Sequence, residues 1–592
     1  MKIRAGLLVA LAVLVLAGRA EARTFQVTTT ADTAPNGCAN GSCTLREAVI
    51  GANARVGADV VELRSNRTYV LELPGTGEDL AATGDLDVTG PLTIQRSNRR
   101  RATIDGGGLD GVLDGFAAIS LRGIQVRGGT TGIRTTGSVK LRGSVIAANT
   151  GYGIQTLAPG GPIKLTRSRI SGNDFQGIQS GAPGEIILVR SSVSGNDFQG
   201  IQKNSGGGVT LDRSSVDDNA FQGLQQNDAG GVKLVRSTVS GNGFQGIQEY
   251  DGGDIALVRS SVNRNGFQAI QESDGGVVRL RRSRVSDNGF SGIQTNDTGG
   301  LRILRSTLAR NGGTAVQVDD QGSATIGRAR IIGSGSGSGL IAAGEGGVAL
   351  SRSRIAGGSR GVLVGDGTDA TIANSTIEDN AGDDGGAGVY VGTDADLVLR
   401  GSTIANNTTE GVSGGGILVN AGGSLRATNS TISGNRAFLS GGGIRVEGVD
   451  ATASLNAVTV VRNIANYTNA SSNSGGGGVN STGGGTFAGV RNSLIARNQA
   501  AFGAFGPDCY TNLGSTGHNL LTNYAGCTGL LGSDDEIANP KIGALKRNGG
   551  PTKTVALKRG SPAIGEAGAD APNRDQRGRR RDRDPDIGAF ER

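Results

Sequence analysis

A right-handed parallel β-helix is the fold class this sequence predicts, on three observations. They are a strict 23-residue repeat, short apolar-alternating strands joined by glycine-rich corners, and cap-like motifs at both ends. The repeat runs from 163 to 317 without a slip. Asn recurs at Asn173, Asn196, Asn219, Asn242, Asn265, Asn288 and Asn311. Ser recurs from Ser168 to Ser306, each time preceded by Arg, from Arg167 to Arg305. Phe recurs from Phe175 to Phe290 and Gln from Gln179 to Gln317. A fixed period of this kind marks stacked units that bury their apolar faces only against neighbours.

One unit reads as three short strands. Ile163 and Leu165 alternate with polar residues, as a strand with one buried face does. Ser168 and Ile170 alternate as well, but a straight strand through Arg167 would put the arginines in the core, where unpaired charge is prohibitive. A corner at Thr166 and Arg167 resets the phase, with Arg outside and Ser inside. Asn173 predicts a second corner, since Asn tolerates left-handed backbone, and Phe175 with Ile178 predicts a third strand. Helical repeats and propeller blades need longer units. The hand follows from the rule for parallel crossovers. About twenty coils ~4.8 Å apart give a rod on the order of 95 Å long. After 318 the grammar continues with wider spacing, through Asn380, Asn407, Asn435, Asn463 and Asn498. Insertions at 381–387 and 467–478 are the expected places for side-loop function.

Residues 1–22 read as an export signal: Lys2 and Arg4, an apolar run over 7–17, then Ala20-Glu21-Ala22. That run is short for a membrane span, and no later stretch is long and apolar enough. A secreted, extracellular or cell-surface chain without a transmembrane span is expected once the signal is removed. The four cysteines fit an oxidising compartment. Of three possible pairings, the local ones, Cys38 with Cys43 and Cys509 with Cys527, suit ends separated by a rigid solenoid. The single histidine, His518, stands apart from any ligand-spaced cluster, so no metal and no cofactor are expected.

Solenoid ends need covers, because exposed strand edges invite pairing. Thr44-Leu45-Arg46-Glu47 is a capping box opening a short amphipathic helix. The run Phe25-Gln26-Val27-Thr28-Thr29, Asp32-Thr33, Cys38 and Cys43 through Ala48 resembles the N-terminal module of bacterial CSLREA-domain proteins, with Thr44 at the usual Ser. Gly84-Asp85-Leu86-Asp87-Val88 and Thr103-Ile104-Asp105-Gly106 continue the likeness. Near the other end, Asp508-Cys509, Gly517-His518-Asn519-Leu520, Cys527 and Asn548-Gly549-Gly550-Pro551-Thr552 resemble a choice-of-anchor Q domain. Ser561-Pro562-Ala563-Ile564, Asp575-Gln576-Arg577-Gly578 and Asp586-Ile587-Gly588-Ala589-Phe590-Glu591 extend it, with Gly565 where Asp is usual. The middle is similar to pectin-lyase-type and polymorphic outer-membrane-protein β-helices. The resemblance implies export, surface display and a β-helix, and it implies no reaction. The expected divisions are 1–22 signal, 23–57 cap, 58–498 β-helix and 499–592 C-terminal module.

Catalytic residues are not evident. The Gly-His-Gly and Arg-x-Lys pattern of polygalacturonase-like enzymes is missing, as is the Arg-x-Pro-x-x-Arg segment of pectate-lyase-like ones. Asp319-Asp320 and Asp383-Asp384 are adjacent pairs that read better as solvated turns than as acid–base dyads. Asp85 and Asp87 share a strand face, where a structural turn is favoured over calcium. Nucleotide fingerprints and zinc motifs are absent. Nucleic acid is not expected as a partner, since the basic run 579–581 is followed at once by acidic residues.

The ladders remain. Asn ladders exchange amide hydrogen bonds between rungs, and stacked Phe rings are expected to fill the core. The row Arg190, Arg213, Arg236, Arg259 and Arg282 is unfavourable in isolation, since unit charges ~4.8 Å apart repel by about 0.9 kcal/mol even at bulk-water dielectric. It reads either as a solvated edge with splayed side chains or as a surface for a linear polyanion, an acidic polysaccharide or cell-surface glycan. A non-enzymatic adhesive, structural or glycan-binding rod is the leading expectation. Its rival is a polysaccharide lyase or hydrolase with a site on the irregular coils after 318.

Overall fold

In the computed structural model the described residues are 22–38, 41–333, 336–468, 475–501 and 505–592; most of the expected signal segment lies outside them. The chain winds through three long parallel sheets. Among the described residues the first has twenty strands, from Thr24–Gln26 to Ser515–Gly517. In the regular region the rungs are in strict register: Ile163 pairs with Ile186, Ile186 with Val209, and Val209 with Val232. Each coil places Ile163–Thr166 in the first sheet, Arg169–Ser171 in the second and Ile178–Ser180 in the third. Ile163, Leu165, Ile170 and Ile178 are buried and stack on their equivalents to form one continuous core. Among the described residues the only α-helix is Leu45–Asn53.

The first corner falls where the phase argument puts it. Arg167 is exposed and Ser168 buried. Arg167 itself takes the left-handed conformation, with φ 50°. The buried Ser168 hydroxyl accepts from Ser144 N at 3.2 Å and donates to the Thr166 carbonyl at 3.0 Å, so the corner is internally satisfied.

The second corner differs from expectation. The left-handed residue precedes the asparagine, as in Gly172, Gly195 and Asp218, and Asn173 lies inside the turn, buried. Its amide donates to Asn196 Oδ1 at 2.8 Å, a link repeated at every rung to Asn311. The ladder resumes from Asn380 and ends on Asp508, which accepts from Asn498 at 2.9 Å. Asn is needed here as a buried donor and acceptor that pairs with a copy of itself.

The phenylalanines are also displaced from the expected place. They do not fill the core: Phe175 lies in the turn before the third strand, 41% exposed. Inside that turn the space is already taken. A Cβ on Gly177 would lie 2.6 Å from Val193 Cγ1 and 2.8 Å from Asn196 Nδ2. The rings stack on one another outside, with centroids 4.9–5.1 Å apart and interplanar angles of 3–8°.

One buried column runs at the inward end of the third sheet. Ser180, Lys203, Gln226, Glu249, Glu272 and Thr295 occupy successive rungs and are all buried. The Lys203 ammonium is caged by the carbonyls of Ala182, Ser205 and Gly206, and burial pushes it down to about 8. Among the described residues Glu249 and Glu272 have no cation partner, and Oε2 of each is unpaired.

At the N-terminal end the capping box is formed. Thr44 Oγ1 accepts from Glu47 N at 3.1 Å, and Glu47 Oε2 accepts from Thr44 N at 2.8 Å. Arg46 is fully buried, ion-paired with Asp32 at 2.8 Å, and donates to the carbonyls of Ala81, Gly84 and Asp85. It ties the helix to the first coils. Cys38 is bonded to Cys43 and Cys509 to Cys527, with Cα atoms 4.4 and 5.2 Å apart.

The other end departs from the expected boundary at 499, because coils continue to Asp535–Glu536, which pairs in parallel with Leu520–Leu521. Residues after that fold back along the second sheet, with a hairpin of Ile542–Lys546 and Thr554–Leu557. The insertion at 381–387 is partly built into the coils and partly an exposed turn at Asp383 and Asp384. Ala381–Gly382 begins a fourth parallel sheet that runs to Gln499–Ala500. The insertion at 467–478 lies partly outside the described residues.

This packing makes Val216→Asp far more damaging than Asp217→Ala. Val216 is fully buried, so an unpaired carboxylate there costs several kcal/mol. Asp217 is half-buried and its carboxylate only accepts from Ser240 Oγ at 2.8 Å, worth about 1 kcal/mol. Thermal melts of the two variants check the assignment; equal midpoints would overturn it.

Candidate functional site

The corner between the first and second sheets carries the most unusual surface of the rod. Nine successive corners hold arginine in the left-handed conformation: 167, 190, 213, 236, 259, 282, 305, 328 and 352, with φ between 48° and 53°. For an L-residue other than Gly or Asn this backbone costs roughly 1–2 kcal/mol. The same corner holds Gly123, Gly143, Asn374, Gly401, Asn429, Ala457, Asn492 and His518 on other coils, most of them Gly or Asn. The fold therefore accepts residues that fit with less strain. The nine side chains are exposed, and none is in an ion pair among the described residues.

Beside this row lies a floor formed by the outward residues of the second sheet. Ser192, Ser215, Thr238, Ser261, Arg284 and Thr307 follow one another in register. Row and floor together line three clefts of about 740, 460 and 550 Å³. The first and second share Arg236 and Thr238, and the second and third share Arg305 and Thr307, so they form one groove. Eight coil spacings separate Arg167 from Arg352, or about 38 Å at ~4.8 Å each. The sequence-predicted Arg190, Arg213, Arg236, Arg259 and Arg282 all lie on this groove. The signal missed in sequence was their backbone conformation, which only the corner geometry exposes.

Among the described residues, Glu378 is the single carboxylate lining the three clefts, and no His or Cys lines them. It sits at the far end, bound by Arg354 at 2.7 Å and Lys553 at 2.8 Å. Burial alone would raise its carboxyl, but the contacts with Lys553 and Arg354 outweigh that and hold it below the ordinary value. It stays ionised and anchors the C-terminal segment. The groove has the chemistry to bind an anion; a free acid–base pair is not part of it.

The other candidates are scattered. Asp319 and Asp320 lie in one turn, where Asp319 accepts from Gln317 at 2.8 Å. Asp383 and Asp384 are exposed in another, with Asp384 3.4 Å from Arg360. Asp85 and Asp87 are buried near the N-terminal helix. Burial, reinforced by neighbouring carboxylates, pushes them up to about 7 and about 6, and Asp87 caps Ala81 N at 2.7 Å. His518 contacts the carbonyl of Glu566 at 3.0 Å and joins the last coils to the C-terminal segment. Among the described residues, one group has metal-ligating proximity: Cys38, Cys43 and Glu47. Its sulfurs form the disulfide and its carboxylate the capping box. No described helix is long and apolar enough to cross a membrane.

No curated protein matches the sequence. The A-module of the Azotobacter vinelandii mannuronan C-5 epimerase AlgE6 is similar at 13% identity over 64% of this chain and 94% of that chain, with a TM-score of 0.35. Pectate lyase Pel9A is similar at 13% over 97% and 98%, with a TM-score of 0.18. The Dettilon tailspike protein is similar at 11% over 68% and 66%, with a TM-score of 0.25. Overlaps this loose carry no argument about what this chain does. The family model described as "Right handed beta helix region" matches residues 160–300 and 291–506. Those segments cover more than half of the sequence, and the chain belongs to the right-handed β-helix family.

Proposed function

We propose that this chain is an exported, cell-surface rod that holds a linear acidic polysaccharide along its arginine groove without turning it over. The observation that carries the reading is the set of nine exposed arginines in a corner conformation that Gly or Asn adopts with less strain. Strain retained at successive positions points to a role for the side chains themselves. A row of positive charge at one-coil spacing raises the local potential and favours long polyanions over single sugars. The coil spacing is close to the length of one pyranose unit in an extended chain, so each uronate can meet a guanidinium on one side and Ser or Thr hydroxyls below. Export is supported by the two disulfides and by the signal-like run at 1–22. Surface display is supported by the likeness of the ends to CSLREA and choice-of-anchor Q modules. The rival enzymatic reading gains nothing from the clefts, whose one carboxylate is fully engaged.

Titration with polygalacturonate, dextran and single-stranded DNA at two ionic strengths tests this. Polygalacturonate is expected to bind, dextran to be ignored, and affinity to fall steeply with salt, since exposed charges are screened over ~10 Å at 0.1 M. Absent or salt-insensitive binding would overturn the reading. Tighter binding of DNA would replace the polysaccharide with nucleic acid, and sustained release of unsaturated or reducing sugars would replace the rod with an enzyme.

A further inference from the structure

We infer that the groove is closed at one end, so that the rod grips the terminus of an acidic polysaccharide chain and not an arbitrary stretch of it. The inference rests on the polyanion reading above. On coils after 376 the line of the groove is filled by the C-terminal segment. Thr403 and Thr431 stand in register with Thr376 on the floor, yet both are fully buried. Thr403 Oγ1 donates to the Lys553 carbonyl at 2.7 Å, and Thr431 Oγ1 donates to Gln576 Oε1 at 2.6 Å. The corner is covered too: Gly401 O accepts from Thr552 Oγ1 at 3.0 Å, and Asn429 Nδ2 donates to Arg574 O at 2.7 Å.

This wall is fixed. Ile542, Val555, Leu557 and Ile587 pack with Val461 and Leu494 in a second apolar cluster, and Lys553 is ion-paired with the buried Glu378. The arginine row stops at Arg352, and Asn and Gly take over the corners from Asn374 to Asn429, where the cover begins. Charge gathers at the stop. Arg328, Arg330, Arg352, Arg354, Arg547 and Lys553 line the last cleft. In mid-groove the cations come from the row, with Arg284 alone on the floor; at the stop they come from the row, the floor and the wall. That suits a chain end, whose terminal residue presents an extra face, while the rest of the polymer leaves along the row toward Arg167.

Defined-length oligogalacturonates carrying a bulky tag at one end, the other, or both provide the test. Tagging one particular end is expected to abolish binding and tagging the other to leave it unchanged. Long polygalacturonate is expected to saturate at one rod per chain, whatever its length. Arg547→Gln, at an exposed position outside the row, is expected to lower oligomer affinity about twofold to fivefold, the scale of one exposed ion pair. Binding of the doubly tagged oligomer as well as the untagged one, or a stoichiometry that grows with polymer length, would overturn end recognition while leaving polyanion binding intact. Failure of every oligomer and polymer to bind would instead overturn the underlying reading.

Discussion

Replacing Arg213, Arg236 and Arg259 together by Asn is expected to stabilise the rod while weakening its grip on acidic polysaccharide roughly 10- to 100-fold. The affinity loss follows from ~0.5–1 kcal/mol for each exposed ion pair removed. The gain in stability has two sources. Asn accepts the left-handed corner, as Asn374, Asn429 and Asn492 already do, relieving about 1 kcal/mol of strain per site. Removing three adjacent charges also reduces repulsion along the row. Together they correspond to about 2–3 °C for a cooperative unit of this size. Arg→Lys at the same positions keeps the charge and the strain, so it should keep most of the affinity and gain no stability. Calorimetry and titration on the same samples check both halves. A triple Asn variant that is less stable, or that binds as wild type does, would mean the arginines serve the fold.

The double substitution Glu249→Gln and Glu272→Gln is expected to flatten the rod's pH dependence on the alkaline side. The two carboxylates occupy adjacent rungs inside the solenoid. Each sends Oε1 to turn N–H groups, of Asp251 and of Gly276, and leaves Oε2 unpaired. Burial is the main cause that pushes both from 4.5 up to about 7; Asp251, Asp274 and Asp297 and their mutual repulsion add to it, while turn N–H groups oppose it. Folded values above the unfolded ones mean a contribution present in full below ~4.5 and lost as pH rises through ~7. The loss amounts to about 3 kcal/mol for each carboxyl at alkaline pH. At about pH 8 the double Gln variant should therefore melt about 5 °C above wild type, and near pH 4.5 the two should converge. Asp85 and Asp87 titrate with the same sign, but they are common to both proteins and cancel in the difference. Parallel midpoint–pH curves would show that the pair is compensated in solution.

Much of the fold was legible because stacking forces each coil to repeat its neighbour. The corner at Arg167 could be placed from charge alone, since no continuous strand buries Leu165 and Ser168 while keeping the arginine in water. The Asn ladder was legible as a ladder, but its backbone was not: the left-handed angle belongs to the residue before it. Phe175 was misplaced because apolar character suggests burial, whereas a turn residue obeys no strand alternation and its interior was already full. The column from Lys203 to Glu272 left no repeat signature, because its residue type changes on nearly every coil. The closed end of the groove depends on contacts such as Thr403 with Lys553, 150 residues apart, and such pairings leave no periodic trace.

Arginine footprinting locates the ligand on the rod. Arginine-selective modification followed by peptide mass spectrometry, with and without polygalacturonate, reads every exposed guanidinium separately. Protection is expected along 167, 190, 213, 236, 259, 282, 305, 328 and 352, the corner row. Arg122, Arg142 and Arg426, exposed on the first sheet, are expected to react equally in both samples. Uniform reactivity of the row in the presence of bound polymer, or protection confined to the first sheet, would contradict a polysaccharide lying in the arginine groove.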